Sequence, residues 1–380
     1  MATIESGGVN PILASPNRLK LGIFGINISS GLALTLAEDR HRVTWPKMIE
    51  ISQLCDECGF EANVPVARWR GYGGLSDPQA TNFETYTWAA GVAQATRQCA
   101  VVTTSHVPVV HPIVAAKQAA TVDHISNGRF ALNIVCGWYQ PELEMFGVPM
   151  REHDIRYEYA DEWIEIVKRL WSAEEEFDYE GRFFRISKGF SMPKPVQRPF
   201  PPLMNAGGSG RGRHFAAKHA DMAFILPTSL EPDELTAQLE SYRRLAREEY
   251  HRELQIWTYA YVVHGDTQQE AEDFRRYYAV ERGDDACVEN IIRVMGIQAQ
   301  TLPPAVTDEL KLHFKAGFAG IPLVGTADHI VDRLRQIVRI GFDGVLLGWL
   351  DYAEGLRRWN REIAPRLVQT GLRLPVSAHG

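Results

Sequence analysis

The stretch GRFALNIVCGWYQPE, residues 128–142, decides how the rest of the chain is read. From 129 to 137 it is nearly all apolar and alternates poorly, the pattern of a strand covered on both faces in a parallel α/β sheet. One amide, Asn133, interrupts it. A buried amide without partners costs about 1–3 kcal/mol. Asn133 therefore bonds either to neighbouring backbone, the default for such a residue, or to a ligand at the end of the strand, where Gly137-Trp138 and Pro141 break it. The segment alone leaves both readings open.

Outward from this strand, apolar runs alternate with amphipathic helical ones. Strands are expected at 19–25, 59–66, 99–106, 129–137, 202–208, 222–227, 254–263 and 344–349. Helices are expected at 45–58, 83–96, 112–125, 156–171, 211–219, 232–249, 267–280 and 327–340. Repeated βα units of this number and length point to α/β architecture, a (β/α)8 TIM barrel, with a doubly wound open sheet as runner-up. Residues 1–18 read as a polar N-terminal arm and 19–380 as a single barrel domain. Two insertions interrupt the rhythm: a hairpin near 177–186 with its turn at Tyr179-Glu180-Gly181, and a lid-like insertion near 282–320, too long for a connecting loop.

Composition narrows the function. The 380 residues carry 40 basic and 47 acidic side chains, a net charge of -7, with no long basic run. Nucleic-acid binding is therefore not expected. The N-terminus lacks the parts of a secretory signal, and no stretch is long and apolar enough to span a membrane, so the cytoplasm is the expected location. The five cysteines are scattered. Cys55-Asp-Glu-Cys58 has the spacing of a redox motif but closes a helical run instead of opening one, which argues against that role. Twelve histidines give no pair on one helical face with acidic company, so no metal is expected. No G-x-S-x-G elbow is present either.

In a barrel the site lies at the C-terminal ends of the strands. Those ends are polar or glycine-rich here: ARWRGYGG (67–74), TTSH (103–106), Asn133 with Trp138, and NAGGSGR (205–211). A strand running into Gly207-Gly208-Ser209-Gly210 and then a helix offers backbone N–H groups, a helix dipole and a hydroxyl to an anion, with Arg211 and Arg213 near. Phosphate is the natural guest. The segment matches neither a Walker A loop nor G-x-G-x-x-G, and a glycine-rich turn capped by Ser209 is the plain alternative. A phosphate seat, buried amide and hydroxyl groups and aromatics at one mouth suit a flat phosphate-bearing cofactor.

RWRGYGG (68–74), AATVDHISNGRFALNIVCGW (119–138), EHDIRYEYADEWI (152–164), FDYEGRFF (177–184), NAGGSGRGR (205–213) and PLVGTADHIVDRL (322–334) together resemble the bacterial luciferase-like flavin monooxygenases. The resemblance is to the branch that holds pyrimidine, dimethylsulfone and alkanesulfonate monooxygenases. It implies a TIM barrel that takes reduced FMN (FMNH2) from a separate NAD(P)H-dependent flavin reductase and reacts it with O2 to a flavin peroxide that oxygenates a small organic substrate. It also implies a homodimer or homotetramer, with the N-terminal arm across a neighbour.

Carried over residue by residue, the resemblance places Ala67, Arg68, Asn133, Glu142, Arg156, Tyr157, Gly208 and Ser209 at the flavin. Val64, Thr104, Asn133 and Trp138 occupy the places of an oxygen pocket. Asn133 then donates to developing negative charge, Thr104 helps by hydroxyl donation, and Trp138 keeps the pocket dry. Trp69, Tyr259, Tyr261 and Trp349 are the expected substrate pocket. Alkanesulfonate enzymes clamp their anion with cations where this chain has Tyr259, Tyr261 and Ala316, the last beside Lys315. Without a forked cationic clamp, a neutral substrate such as a sulfone or nitrogen heterocycle is expected. The alternatives are a deazaflavin-dependent oxidoreductase of the same superfamily or a non-catalytic flavin-binding protein.

Overall fold

The computed structural model describes residues 10–227, 231–296 and 304–376; residues 1–9 of the expected arm and 297–303 of the expected lid lie outside the described residues. The strands are β1 (Lys20–Phe24), β2 (Ala62–Val64), β3 (Ala100–His106), β4 (Phe130–Val135), β5 (Phe177–Glu180), β6 (Arg185–Gly189), β7 (Leu203–Asn205), β8 (Met222–Phe224), β9 (Gln255–His264), β10 (Ile321–Gly325) and β11 (Gly344–Gly348). Eight of them, in the order β9-β11-β1-β2-β3-β4-β7-β8, close into a parallel barrel through the β8–β9 pairing. All eight expected strands are barrel strands.

Sequence alternation sorts the side chains into two cores. Outward residues such as Val101, Phe130, Leu132, Ile134 and Leu203 pack under the surrounding helices. Inward residues are small on one side of the ring (Ala62, Ala100, Ala131) and large on the other (Met204, Met222, Trp257), so the interior fills without a pore. The short helix Pro11–Ala14 closes the floor: Ile12 is fully buried in that inner cluster, and Asn10 Nδ2 donates to Phe130 O at 2.9 Å. The described part of the arm thus covers the floor of its own barrel, because an apolar ring end must be covered.

Three local features depart from expectation. β10 is a ninth strand: beyond Trp257 the edge of β9 that faced β8 pairs with it instead, Ala260 to Ile321 through His264 to Gly325. The helix after the last barrel strand, Tyr352–Arg358, continues as a wider π-helical turn and then Ala364–Gln369, where no helix was expected. In the hairpin, Glu180 pairs with Arg185, so the turn is 181–184 and not 179–181. Its cause is distant: Glu162 accepts the backbone N–H groups of Arg182 (2.8 Å), Phe183 (3.0 Å) and Phe184 (3.2 Å).

The lid-like insertion contains the helices Asp285–Val294 and Pro304–Gly317. Val288, Ile291 and Phe314 pack with Tyr72 and Tyr139 over the barrel mouth. Asp284 ties it to the second loop, accepting from Ser76 N at 2.6 Å and Ser76 Oγ at 2.7 Å.

Candidate functional site

The same inward parity that fills the barrel puts polar groups at its top. Ala100 and Val102 precede Thr104 on β3, Ala131 precedes Asn133 on β4, and the register sets Thr104 opposite Asn133. Asn133 Nδ2 donates to Thr104 Oγ1 at 3.1 Å, and Thr104 Oγ1 donates to Pro65 O at 2.7 Å. A carbonyl only accepts, so the Thr104 proton is committed to Pro65 and its oxygen receives the amide. This corrects the expectation that Thr104 donates to a ligand. It also fixes the Asn133 amide, whose Oδ1 is buried without a partner among the described residues. One free acceptor and one remaining N–H of Asn133 are left for a guest.

Arg68 stands beside this pair. Its Nη1 lies 3.2 Å from Glu142 Oε1, and its Nε donates to Gln79 Oε1 at 3.0 Å. The guanidinium sits over the rings of Tyr72, Tyr139 and Trp138, with centroids 4.9, 5.2 and 5.5 Å away. Glu142 also accepts from Trp69 N at 2.6 Å, so it pins both the cation and the loop. Its carboxylate is nearly inaccessible and stands behind Arg68.

His106 ends β3 with Nδ1 3.7 Å from Glu142 Oε2. Burial, aided by the Arg68 charge, pushes its pKa down to about 3, so the ring is neutral and the contact is no ion pair. Burial likewise lowers His41 to about 4, against the opposing hydrogen bond to Ile26 O. Both folded values lie below the unfolded 6.5, so protons bind the unfolded chain preferentially. Stability is intact above pH 6.5 and falls below it, by about 2 kcal/mol per ring at pH 5. Denaturant melts at pH 7.5 and 5.0 will show this loss, and His106→Gln will shrink it; an undiminished loss in that variant refutes the assignment.

Two adjoining cavities occupy the mouth. The outer cleft, about 400 Å³, is lined by Gly207, Gly208, Ser209, Arg156 and Tyr157. Ser209 caps the helix Gly210–His219, its Oγ accepting Gly212 N at 3.0 Å, and Asn205 Oδ1 holds Gly207 N at 2.9 Å. A Cβ on Gly207 would meet Gly212 Cα at 2.6 Å, while one on Gly208 or Gly210 would meet nothing within 4 Å. The loop is thus packed on one side and open on the other, with first-turn N–H groups that have no helical partner. Arg156 donates through Nη1 to Gly137 O and keeps a buried Nε without a partner among the described residues. Burial pushes the Tyr157 hydroxyl up to about 12, so it is a donor at neutral pH. Arg213 turns away, to Ser241 Oγ at 3.2 Å.

The inner cavity, about 140 Å³, is walled by Ala67, Arg68, Thr104, Asn133 and Tyr259, and shares Trp138 and Phe318 with the outer cleft. Val64 packs in the inner barrel core with Ala62 and Ala100 and is not among the cavity-lining residues. Tyr261 faces the lid, its hydroxyl 3.0 Å from His313 Nδ1, where β9 is still paired with β11 but has β10 in place of β8 on its other edge. Trp349 packs outward against Tyr352 and Trp359. Trp69 is half-exposed against Phe146, on a separate side hollow behind Arg68 and Thr104. Wall residues not anticipated include Phe24, Gln79, Phe224, Leu226 and the lid's Phe318. Among the described residues no group of three or more His, Cys, Asp or Glu is placed to hold a metal, and no helix is long and apolar enough to cross a membrane.

A closed parallel barrel with a glycine-rich anion cradle and a buried amide at one mouth defines a cofactor-binding TIM barrel. The luciferase-like monooxygenase family model matches residues 24–344, and the chain belongs to that family. It is 28% identical over 354 residues to the FMNH2-dependent dimethylsulfone monooxygenase of Pseudomonas putida, covering 91% of this chain and 94% of that protein. It is also 28% identical over 356 residues to the pyrimidine monooxygenase RutA of Acinetobacter baylyi, covering 92% and 95%. The fold superposes on DmoA from Hyphomicrobium sulfonivorans with a TM-score of 0.82, at 21% identity, over 96% of this chain and 90% of that one.

Proposed function

We propose that the protein is a two-component monooxygenase that uses reduced FMN and O2 to oxygenate a small neutral organic substrate. The observation that carries this reading is the junction of the two cavities: an open glycine-rich cradle shares its wall with a mostly apolar chamber that holds an amide oxygen unpartnered among the described residues. The residues present fit FMN, since Gly208 and Gly210 leave the cradle open, and among the described residues neither the buried Arg156 Nε nor Asn133 Oδ1 has a partner. Ser209, Gly208, Arg156 and Tyr157 would hold the phosphate, and Ala67, Asn133 and Trp138 would flank the ring. Bound reduced FMN supplies the electrons that activate O2.

The chain's own residues orient and exclude. Trp138, Phe318 and the lid keep water from the inner cavity, and Arg68 braces three aromatic rings while Glu142 cancels its charge. The cation near Ala316, Lys315, is engaged by Asp285 at 2.7 Å. A wall with no unmatched cation supports a neutral substrate, a sulfone or nitrogen heterocycle, over a sulfonate. On this reading FMNH2 comes from a flavin reductase that spends NAD(P)H, in the cytoplasm, and the barrel domain from residue 19 works as a homodimer or homotetramer behind an arm at 1–18.

The test is anaerobic titration of the protein with reduced FMN, reduced riboflavin and reduced deazaflavin. FMN is expected to bind tightest, with Arg156→Ala weakening it about tenfold to a hundredfold, the worth of a charge-assisted hydrogen bond. Riboflavin binding as tightly as FMN defeats the cradle assignment. Preference for deazaflavin defeats the monooxygenase.

A further inference from the structure

Gln79 is held in the wall of the inner cavity by more structure than a wall requires. Its backbone stands at φ 67°, in the left-handed region where a glutamine is uncommon. Such a conformation persists where its surroundings enforce it, often at functional sites. Here Gln79 N donates to Ser29 O at 2.9 Å, and Asn82 Nδ2 donates to Gln79 O at 3.1 Å. The residue is 2% exposed, and its Oε1 accepts from Arg68 Nε at 3.0 Å. Arg68 Nε can only donate, so the amide oxygen is the atom turned to it. The two hydrogens on Nε2 are left for the cavity.

A second donor shares that chamber. The Tyr259 hydroxyl is buried without a partner among the described residues, and burial holds its pKa well above neutral, so it keeps its proton. Gln79 and Tyr259 line the inner cavity and not the outer cleft with the anion cradle. Two fixed donors in a chamber whose cation is already matched by Glu142 call for acceptor oxygens without net charge.

We propose that Gln79 is a specificity-determining residue whose Nε2 donates to a sulfonyl or carbonyl oxygen of a neutral substrate. This deepens the monooxygenase reading and rests on it. Gln79→Gly keeps the positive φ at no steric cost and removes the amide. Gln79→Glu keeps the length and the Arg68 contact but turns an acceptor towards the ligand.

Anaerobic calorimetry with reduced FMN comes first, on the wild type and both variants, followed by titration of each FMN-loaded protein with dimethyl sulfone and with uracil. The expected result is FMN affinity within about threefold in all three proteins, and at least about tenfold weaker binding of the responding probe in both variants. Unchanged probe affinity in Gln79→Gly overturns the proposal, as does a parallel loss of FMN affinity or a wild type that binds FMN but neither probe. A wild type that fails to bind reduced FMN overturns the monooxygenase reading itself, so the two failures are told apart by the first titration.

Discussion

Glu142→Leu is expected to destabilise the protein by about 3–5 kcal/mol, the cost of stranding one member of a buried ion pair. Both side chains are nearly inaccessible, Arg68 at 4% and Glu142 at 2%. Three aromatic faces surround the guanidinium, but cation–π contacts worth about 0.5–2 kcal/mol cannot replace a carboxylate. The substitution also leaves Trp69 N, held at 2.6 Å, without its acceptor. Glu142→Gln keeps that acceptor and loses only the charge, so it will cost less. Replacing both partners, Arg68→Met with Glu142→Leu, will recover much of the loss, because a well-packed apolar pair often matches a buried ion pair. Guanidinium denaturation of the three variants closes the comparison. A single-variant cost below about 1 kcal/mol, the range of exposed pairs, means the pair bears no weight in the fold.

What was legible in the chain follows from how far each feature depends on distant partners. Parallel strands covered on both faces are long apolar runs, so all eight barrel strands were readable. β10 was not, since its few apolar residues follow a long insertion and its partner is the far half of β9. Thr104 and Asn133 could be paired with the site because both end strands and share inward parity. The Arg68–Glu142 ion pair joins a loop after β2 to the helix Gln140–Met145, and nothing local in either segment announces it. Trp349 and Tyr261 misled for a related reason: one lies past the strand end, where the chain turns outward, and the other where β9 has exchanged its β8 neighbour for β10. Gln79 carries no sequence signal, because a left-handed glutamine is imposed by the fold around it.

Asn133→Ala is expected to lower O2-dependent product formation by about 10²–10³-fold, the usual loss when one fixed polar group aimed at developing charge is removed. The geometry says why the effect should be on rate and not on folding. Thr104 keeps its own bond to Pro65 O when the amide is lost, so no buried proton donor is stranded. The Oδ1 that disappears had no partner among the described residues to begin with. Reduced-FMN affinity should fall by less than the rate does, since Asn133 meets only the ring and the phosphate cradle at Gly208, Ser209 and Arg156 belongs to the other cavity. Thr104→Val gives the complementary case: it keeps the shape, frees Asn133 Nδ2 and strands Pro65 O, so it should cost stability by about 1–3 kcal/mol and affect rate less than Asn133→Ala. Stopped-flow mixing of the reduced-FMN-loaded proteins with oxygenated buffer, with product quantified per flavin oxidised, reads both quantities. Full coupling of flavin oxidation to product in Asn133→Ala would remove Asn133 from the chemistry and leave it a core amide held by Thr104, the plainer of the two readings open at the start.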